Sequence, residues 1–407
     1  MRKIDLTNFQ VATSVTARDI NRRIVLNLIR NHQPISRADL ARHSGLQRST
    51  VSLITEQLIG EEWVREGASG HAPRGRRPRF LHLNKERVGI IGVNVRPATT
   101  AIGLADLDAH FMAQESLPTA PDPERFIAEL IPRLRNLIKM RPEISYEGIG
   151  ISLPGRVDLS SQRLVFAPNL GWSAVDLKTP LEEATGLPVE LENAANACAL
   201  TEVWFGQHRE GARNLVVVTV SEGIGTGLIL NHQLARGSTG MAGEFGHITI
   251  VDEGLECRCG NRGCWEVYAS NSAAVRYYVQ SSSSIRNGRN DKAAVRPPGQ
   301  SPSFDDVLRL AEQNDPKAVE AINQMARYLG VGIALLVTGL APDVIVVVGE
   351  ITRAWNRVGP VIDEVVKSRS FTHAPTRIIP TDPAGDPRLR GAIALVLQKH
   401  FGAPSVA

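Results

Sequence analysis

The 407-residue sequence holds only four cysteines, and three of them fall within "CRCGNRGCWE", residues 257–266. So sparse and clustered a set excludes the disulfide framework of a secreted fold, and a chain this long buries enough core to need no such staple. A Cys-X-X-Cys redox motif is missing too. The opening "MRKIDLTNFQVATSVTARDINRR" has no apolar segment, so it does not resemble a signal peptide, and a reducing cytoplasm is the expected compartment. No unbroken apolar run reaches membrane-spanning length. The longest, "LGVGIALLVTGLAPDVIVVVG", is interrupted by "APD" and reads as a buried helix, a turn and a buried strand over Val344–Val348, with no membrane partner.

Charge is present but unevenly placed. Residues 1–87 hold 16 Lys/Arg against 8 Asp/Glu, while the rest holds 30 against 34. A basic head on a mildly acidic body points to a polyanion partner for the head alone.

Within that head, "INRRIVLNLIRNHQ" sets Ile20, Ile24, Leu26, Leu28 and Ile29 largely on one helical stripe. "ISRADLARHSGLQRSTVSLITEQLIGEEWVREG" then predicts two more helices, the first capped by Ser36 with Asp39 three residues on, the second running from Gln47 to Ile59 after the turn "SGL". Two short helices about a tight glycine turn form a helix-turn-helix. Its second helix enters the major groove, so Gln47, Arg48, Ser49, Thr50 and Ser52 are candidate DNA contacts, with Arg37 from the helix before, while Val51, Ile54 and Leu58 face the core. The strand, loop and strand of "WVREGASGHAPRGRRPRFLHLN" form a wing whose Arg74, Arg76, Arg77 and Arg79 suit a narrow minor groove. The alternative is a solvated helical hairpin with a charged loop.

From residue 88 short buried strands alternate with helices, an α/β pattern. Strands are read at "VGIIGVNV", "TAIGLADLD", "YEGIGISLPG", "NLVVVTVSEG", "LILNHQLA" and "DVIVVVG", and residues 281–304, rich in Ser, Pro and Gly, read as a surface loop.

"VSEGIGTGLILNHQLARGSTGMAGEFGHITI" followed by "CRCGNRGCWE" resembles the signature of the ROK family of repressors, open reading frames and kinases. "IGISLPGRVD" is similar to the family's sugar-side strand and loop, "LENAANACALTE" to its Glu-Asn-Asp helix start, and "LAPDVIVVVGE" to its nucleotide-side strand. The basic head resembles the winged helix-turn-helix of the repressor branch. The resemblance implies a two-lobed, actin-like (ribonuclease H-like, sugar kinase) α/β body behind the head. It divides the chain into a head at 1–86, a first lobe at 87–205 completed by the C-terminal helix within 383–407, and a second lobe with the cysteine knot at 206–382.

His247, Cys257, Cys259 and Cys264 supply one imidazole and three thiolates, which suits tetrahedral zinc, and the resemblance implies one structural Zn²⁺ per chain held by these four. Free buried thiols or a redox pair is the alternative. Cys198, in a helix among alanines, reads as core. The resemblance also places a sugar against Asn193, Glu244, His247 and Glu266; carboxylates and an amide are what adjacent hydroxyls need. The bland alternative makes Glu244 and Glu266 surface or supporting carboxylates.

Phosphoryl transfer needs a base and a cradle for phosphates. The family's catalytic Asp falls on Ala194, which cannot titrate, so no catalytic residue is assigned. Asn94, Arg96, Pro97 and Ala98 stand in the first phosphate loop, and Glu350 stands where a glycine belongs near the adenine side. The second loop, "SEGIGTG", keeps Gly223, Gly225 and Gly227 but carries Glu222, which would repel a triphosphate; ATP is not an expected cofactor. The expected function is a sugar-responsive transcriptional regulator repressing carbohydrate uptake or catabolism genes. Its partners would be operator DNA, a small sugar or sugar phosphate, and another copy of the chain in a homodimer or higher homo-oligomer. A sugar kinase with a DNA-binding head, and a regulator answering to a transport-system protein, are the alternatives. The signal is expected to pass through the linker near residues 80–90.

Overall fold

The computed structural model describes residues 14–69, 79–158, 160–206, 212–284, 302–370, 375–382 and 385–402. Arg74, Arg76 and Arg77 therefore lie outside the described residues, as do residues 285–301 of the segment read as a loop.

Three helices, α1 (Ser14–His32), α2 (Arg37–Ser44) and α3 (Arg48–Gly60), build the head with strands β1 (Ile35–Ser36), β2 (Val64–Ser69) and β3 (Arg79–Leu83). Ser36 and Asp39 cap α2 reciprocally, and Gly45 ends it at φ 71°, a left-handed turn that aims α3 away from α2. Val51, Ile54 and Leu58 of α3 pack against Val25, Leu26 and Ile29 of α1, so one face of each helix is consumed by the core.

The body contains two five-stranded sheets of the same design. In the first, β4 (Val88–Val95), β5 (Thr99–Ala105), β6 (Phe111–Pro118), β7 (Ser145–Leu153) and β11 (Val189–Asn193) lie in the order β11-β7-β4-β5-β6. In the second, β12 (Leu215–Val220), β13 (Ile224–Leu230), β14 (Gln233–Leu234), β15 (Val344–Val348) and β16 (Arg377–Pro380) lie in the order β14-β13-β12-β15-β16. Each sheet is an antiparallel meander of three strands with two parallel strands added beside the first. That duplicated pattern is the actin-like architecture. A small antiparallel sheet of β8 (Arg156–Asp158), β9 (Arg163–Ala167) and β10 (Trp172–Val175) hangs from the first.

Helices cover both faces, which is why all eight residues of β4 are buried. On the first lobe α4 (Pro123–Met140) lays Phe126, Leu130, Leu134 and Leu137 on the sheet, and α5 (Lys178–Thr185) adds Leu181. Between the lobes runs α6 (Ala194–Phe205); α7 (Trp265–Ala269), α8 (Asn271–Ser284), α9 (Phe304–Glu312), α10 (Pro316–Leu340) and α11 (Trp355–Arg369) cover the second. Among the described residues α10 alone is long and apolar enough to cross a membrane, but Ile322, Met325, Leu329, Ile333 and Leu336 are spent on the second core.

The last helix, α12 (Pro387–Phe401), crosses back onto β4 and β7. It fits because the strands give way: a Cβ on Gly150 would lie 1.8 Å from the Ala392 carbonyl oxygen, and one on Gly92 3.1 Å from that of Leu389. The Ser281–Ser284 end of the segment read as a loop continues α8 instead. "SEGIGTG" differs as well: only residues 221–223 turn the hairpin, while Gly225 and Gly227 lie inside β13, opposite Thr219 and Val217. There they let β13 reach α6, since a Cβ on Gly227 would sit 2.3 Å from the Ala195 carbonyl oxygen.

Candidate functional site

A cavity of about 470 Å³ opens between the lobes where β4, β7, β11 and β12 end. Ligands of open α/β sheets settle at such carboxyl ends. Asn193 and Ala194 form one wall at the start of α6; Glu244 and His247 come from a short 3₁₀ turn, and Glu266 from the first turn of α7. The four polar residues assigned to a sugar thus line one cavity.

Their side chains are not equally free. Asn193 Oδ1 accepts from Ala195 N at 2.8 Å, capping α6, and its Nδ2 donates to the Gly155 carbonyl at 2.8 Å, which leaves one amide hydrogen for a ligand. Glu266 Oε2 accepts from Ile224 N at 3.0 Å, and a Cβ at Gly223 would intrude to 2.2 Å from that oxygen, so the glycine makes room for the carboxylate. Burial raises the Glu266 carboxyl above its ordinary range, against the opposing pull of that N–H and of His247. Glu244 is open to the cavity.

Behind this wall the cysteine loop folds on itself. Gly260 and Gly263 turn it at φ 92° and 74°, and the Thr249 and Cys264 backbones bridge. His247 Nδ1 lies 3.7 Å from Cys257 Sγ, Cys259 Sγ lies 3.7 Å from Cys264 Sγ, and all four donor atoms fall within 4.8 Å of one another. A tetrahedral cation with metal–sulfur bonds of ~2.3 Å has ligand–ligand edges of about 3.8 Å, so these donors fit one. The second imidazole nitrogen, Nε2, faces Glu244 Oε2 at 3.8 Å, so His247 joins the metal-ligand set to the cavity wall. Trp265, next in sequence, anchors the loop by donating from Nε1 to the Tyr328 carbonyl of α10 at 2.9 Å.

Ala194 has no titratable group, and its acidic neighbour Glu192, which also lines the cavity, is engaged by other partners. Glu192 is buried, with Oε1 accepting from Asn193 N and Asn196 Nδ2 and Oε2 from Arg236 Nε at 2.8 Å. On the other side of the cleft three residues that depart from the kinase pattern meet. Arg96, past the end of β4, lies 2.9 Å from Glu350 and 3.5 Å from Glu222, and Asn271 Nδ2 donates to Glu350 at 3.1 Å. Burial alone would raise the Glu350 carboxyl, yet Arg96 and its other partners hold it below the ordinary carboxylate range. The two lobes are thereby tied by an ion pair.

On the head, Gln47, Arg48 and Ser49 are exposed at the start of α3, and Thr50 and Ser52 are half-buried. Leu53, missed by a search for polar contacts, is 59% exposed on the same helix. Arg37 is not presented to a groove: its Nε donates to Thr55 Oγ1 at 3.0 Å and it pairs with Glu66 at 2.7 Å. Arg79 pairs with the other oxygen of Glu66 at 2.6 Å. Sequence gave no sign of these pairings, nor of Arg258 donating to Asn169 at the cavity edge.

Comparison with known proteins agrees with this geometry. Residues 90–399 match the ROK family and residues 23–67 the MarR family. The chain is 33% identical over 364 residues to a xylose repressor of Bacillus spizizenii, covering 89% of this chain and 90% of that one. Its fold is similar to that of a crystallised ROK family transcriptional regulator, a homolog of E. coli MLC protein, with a TM-score of 0.81, 28% identity and coverage of 95% and 98%. It is also similar to a ROK family glucokinase from Streptomyces griseus in complex with glucose and AMPPNP, with a TM-score of 0.65, 29% identity and coverage of 75% and 97%.

Proposed function

Because the chain belongs to the ROK family, we propose that it is a sugar-responsive transcriptional repressor of carbohydrate uptake or catabolism genes, with a kinase-like body that senses sugar without phosphorylating it. The head, with its helix-turn-helix of MarR type, binds operator DNA through Gln47, Arg48, Ser49, Thr50 and Ser52 of α3 and through the wing arginines. Two copies pair so that two heads match a symmetric operator. The chain works in the cytoplasm.

One observation carries the loss of catalysis: the cavity keeps Asn193, Glu244, His247 and Glu266 on its sugar side, while Ala194 supplies no base and Arg96, Glu222 and Glu350 close on each other on the far side. Carboxylates and an amide hold hydroxyls by hydrogen bonds. With alanine at 194 the carboxylate that the family places against the attacking hydroxyl is missing, and a triphosphate would have to break the Arg96 pairs and face Glu222.

His247, Cys257, Cys259 and Cys264 would hold one zinc ion, whose part would be structural; with the His247 Nδ1 side turned to the cysteines, Nε2 would face Glu244 or a sugar hydroxyl.

Calorimetry with D-xylose, D-glucose and N-acetylglucosamine, free and, for the hexoses, 6-phosphorylated, should find one that binds and that Asn193→Ala weakens. A coupled ATP assay on the same panel should stay at background, and should stay there in Ala194→Asp, because the new carboxylate leaves the Arg96 pairs in place. Turnover in the wild type that Asn193→Ala abolishes would instead make the protein a sugar kinase with a DNA-binding head.

A further inference from the structure

The cavity and the head are joined by two helices that run side by side. Gly391 of α12 meets α6 so closely that a Cβ would lie 2.2 Å from the Ala197 carbonyl oxygen, and Thr201 Oγ1 donates to the Pro387 carbonyl at 2.6 Å. Both helices start at the cavity, α6 with Asn193, Ala194 and Ala195 and α12 with Arg388 in its first turn. Both end beneath the head, α6 with Trp204 and Phe205 and α12 with Phe401.

These two helices also differ in the sheet they carry, because α6, which continues from β11 of the first lobe, packs on the second. α12 lies on β4 and β7 of the first sheet, whereas α6 receives β12 and β13 of the second, with Ala195 and Ala199 against Gly225 and Gly227. A change in the angle between the lobes must therefore shift one helix against the other, and close-packed backbones transmit such a shift rather than absorb it.

Where the helices end, a single side chain from the head touches both. Arg30, in the last turn of α1 and 8% exposed, places its guanidinium 5.0 Å from the Trp204 ring, 5.5 Å from Phe205 and 5.1 Å from Phe401, and donates to the Trp204 carbonyl at 3.0 Å. Around it Asn27 donates to the Phe401 carbonyl at 2.7 Å and Arg23 to that of Gly402 at 2.8 Å. A planar cation stacked among rings from two helices is sensitive to their relative position in a way that a lone backbone hydrogen bond is not.

Resting on the sensor reading above, the geometry points to Arg30 as the positioning residue that couples the cavity to the DNA-binding head, with α6 and α12 as the route. The linker between β3 and β4, where the sequence placed that route, is a short turn closed by Arg87 N and Val88 N on the Asn84 carbonyl, with Asn84 N donating to the Trp63 carbonyl of the head and Lys85 pairing with Asp108 of the first lobe.

The test uses the full chain, the three sugars named above with their phosphates, and an operator duplex selected by the wild type from a random-sequence pool. The readout is the ratio of operator Kd with and without saturating sugar, together with sugar Kd by calorimetry. Arg30→Met should bring the ratio to within about twofold of one while sugar Kd changes by less than about twofold. Arg30→Lys, which keeps charge and stem but not the planar stack, should retain an intermediate ratio. A ratio unchanged in both variants, even with operator affinity or Tm lowered, would overturn the proposal and leave Arg30 as a fastener of the head. Should Arg30→Met fail to fold, the ratio in Arg30→Lys and Phe401→Leu decides, and wild-type values in both would overturn it. A wild-type ratio of one for every sugar would overturn the sensor reading first, and this proposal with it.

Discussion

Cys264→Ser should leave the purified chain without the zinc proposed for the cysteine loop and with a damaged wall in the proposed sugar pocket. Structural zinc sites carry an apparent free energy of about 10–16 kcal/mol, and disturbing only a ligand's outer partner already costs 10–100-fold in affinity, so removing a thiolate should cost more than about 100-fold. Cys264 is fully buried, and without a cation burial pushes its thiol up to about 12, with the neighbouring thiols adding to the rise. A bound cation reverses that balance by favouring thiolate, so metal uptake releases protons and weakens as pH falls. Metal analysis should find about one zinc ion per wild-type chain and close to none in the variant. With His247 no longer fixed through Nδ1, sugar affinity should fall by about tenfold, ~1.4 kcal/mol. Cys198→Ser, buried in α6 away from the knot, should keep its zinc. Full metal content and unchanged sugar affinity in Cys264→Ser would contradict the link between knot and pocket.

Gly150→Ala should be among the most damaging single methyls in the body. The added Cβ would lie 1.8 Å from the Ala392 carbonyl oxygen and 2.7 Å from its carbon, with backbone on both sides and no flexible side chain to yield. Overpacking usually costs about 1–3 kcal/mol, and a rigid backbone clash belongs at or above that limit. The expected loss is about 3 kcal/mol or more, read as a fall in Tm or in the denaturant midpoint. Because α12 must lift from β7, the head's contacts with Phe401 should loosen as well, and limited proteolysis should cut between head and body sooner. Gly339→Ala is the control: its Cβ position has no neighbour within 4 Å, and alanine near the end of α10 should be neutral or stabilising by up to about 1 kcal/mol. Equal stability of the two variants would show that the packing of α12 on β7 is looser than the structure has it.

Local chemistry made part of this protein legible in its sequence. The Ser36–Asp39 capping box, the turn at Gly45 and the apolar stripe of Val51, Ile54 and Leu58 are all fixed by neighbours a few residues away, and each stands where the sequence put it. The cysteine loop with His247 was legible because its donors and turn glycines are close in the chain. Elements with little burial were not legible: β6 lies at a sheet edge with only Leu117 buried, so its pattern lacks a clean apolar alternation. Pairings across the fold were also hidden. Arg96, Glu222 and Glu350 each stood out as wrong for a kinase, but their meeting depends on how two sheets face each other. Arg37, a candidate DNA contact by its place in the chain, pairs with Glu66 and Thr55 across the head, and the role of Arg30 depends on α6 and α12 ending together.

A repressor that responds to sugar requires sugar and operator to act on one equilibrium, so each must change the affinity for the other by the same factor. Operator binding by fluorescence anisotropy, titrated with and without the sugar that calorimetry shows to bind, tests this directly. The expected shift in operator Kd is roughly 5–150-fold, with an equal shift in sugar Kd when operator is present. A sugar that binds the cavity, weakened by Asn193→Ala, yet leaves operator Kd unchanged within about twofold would contradict it.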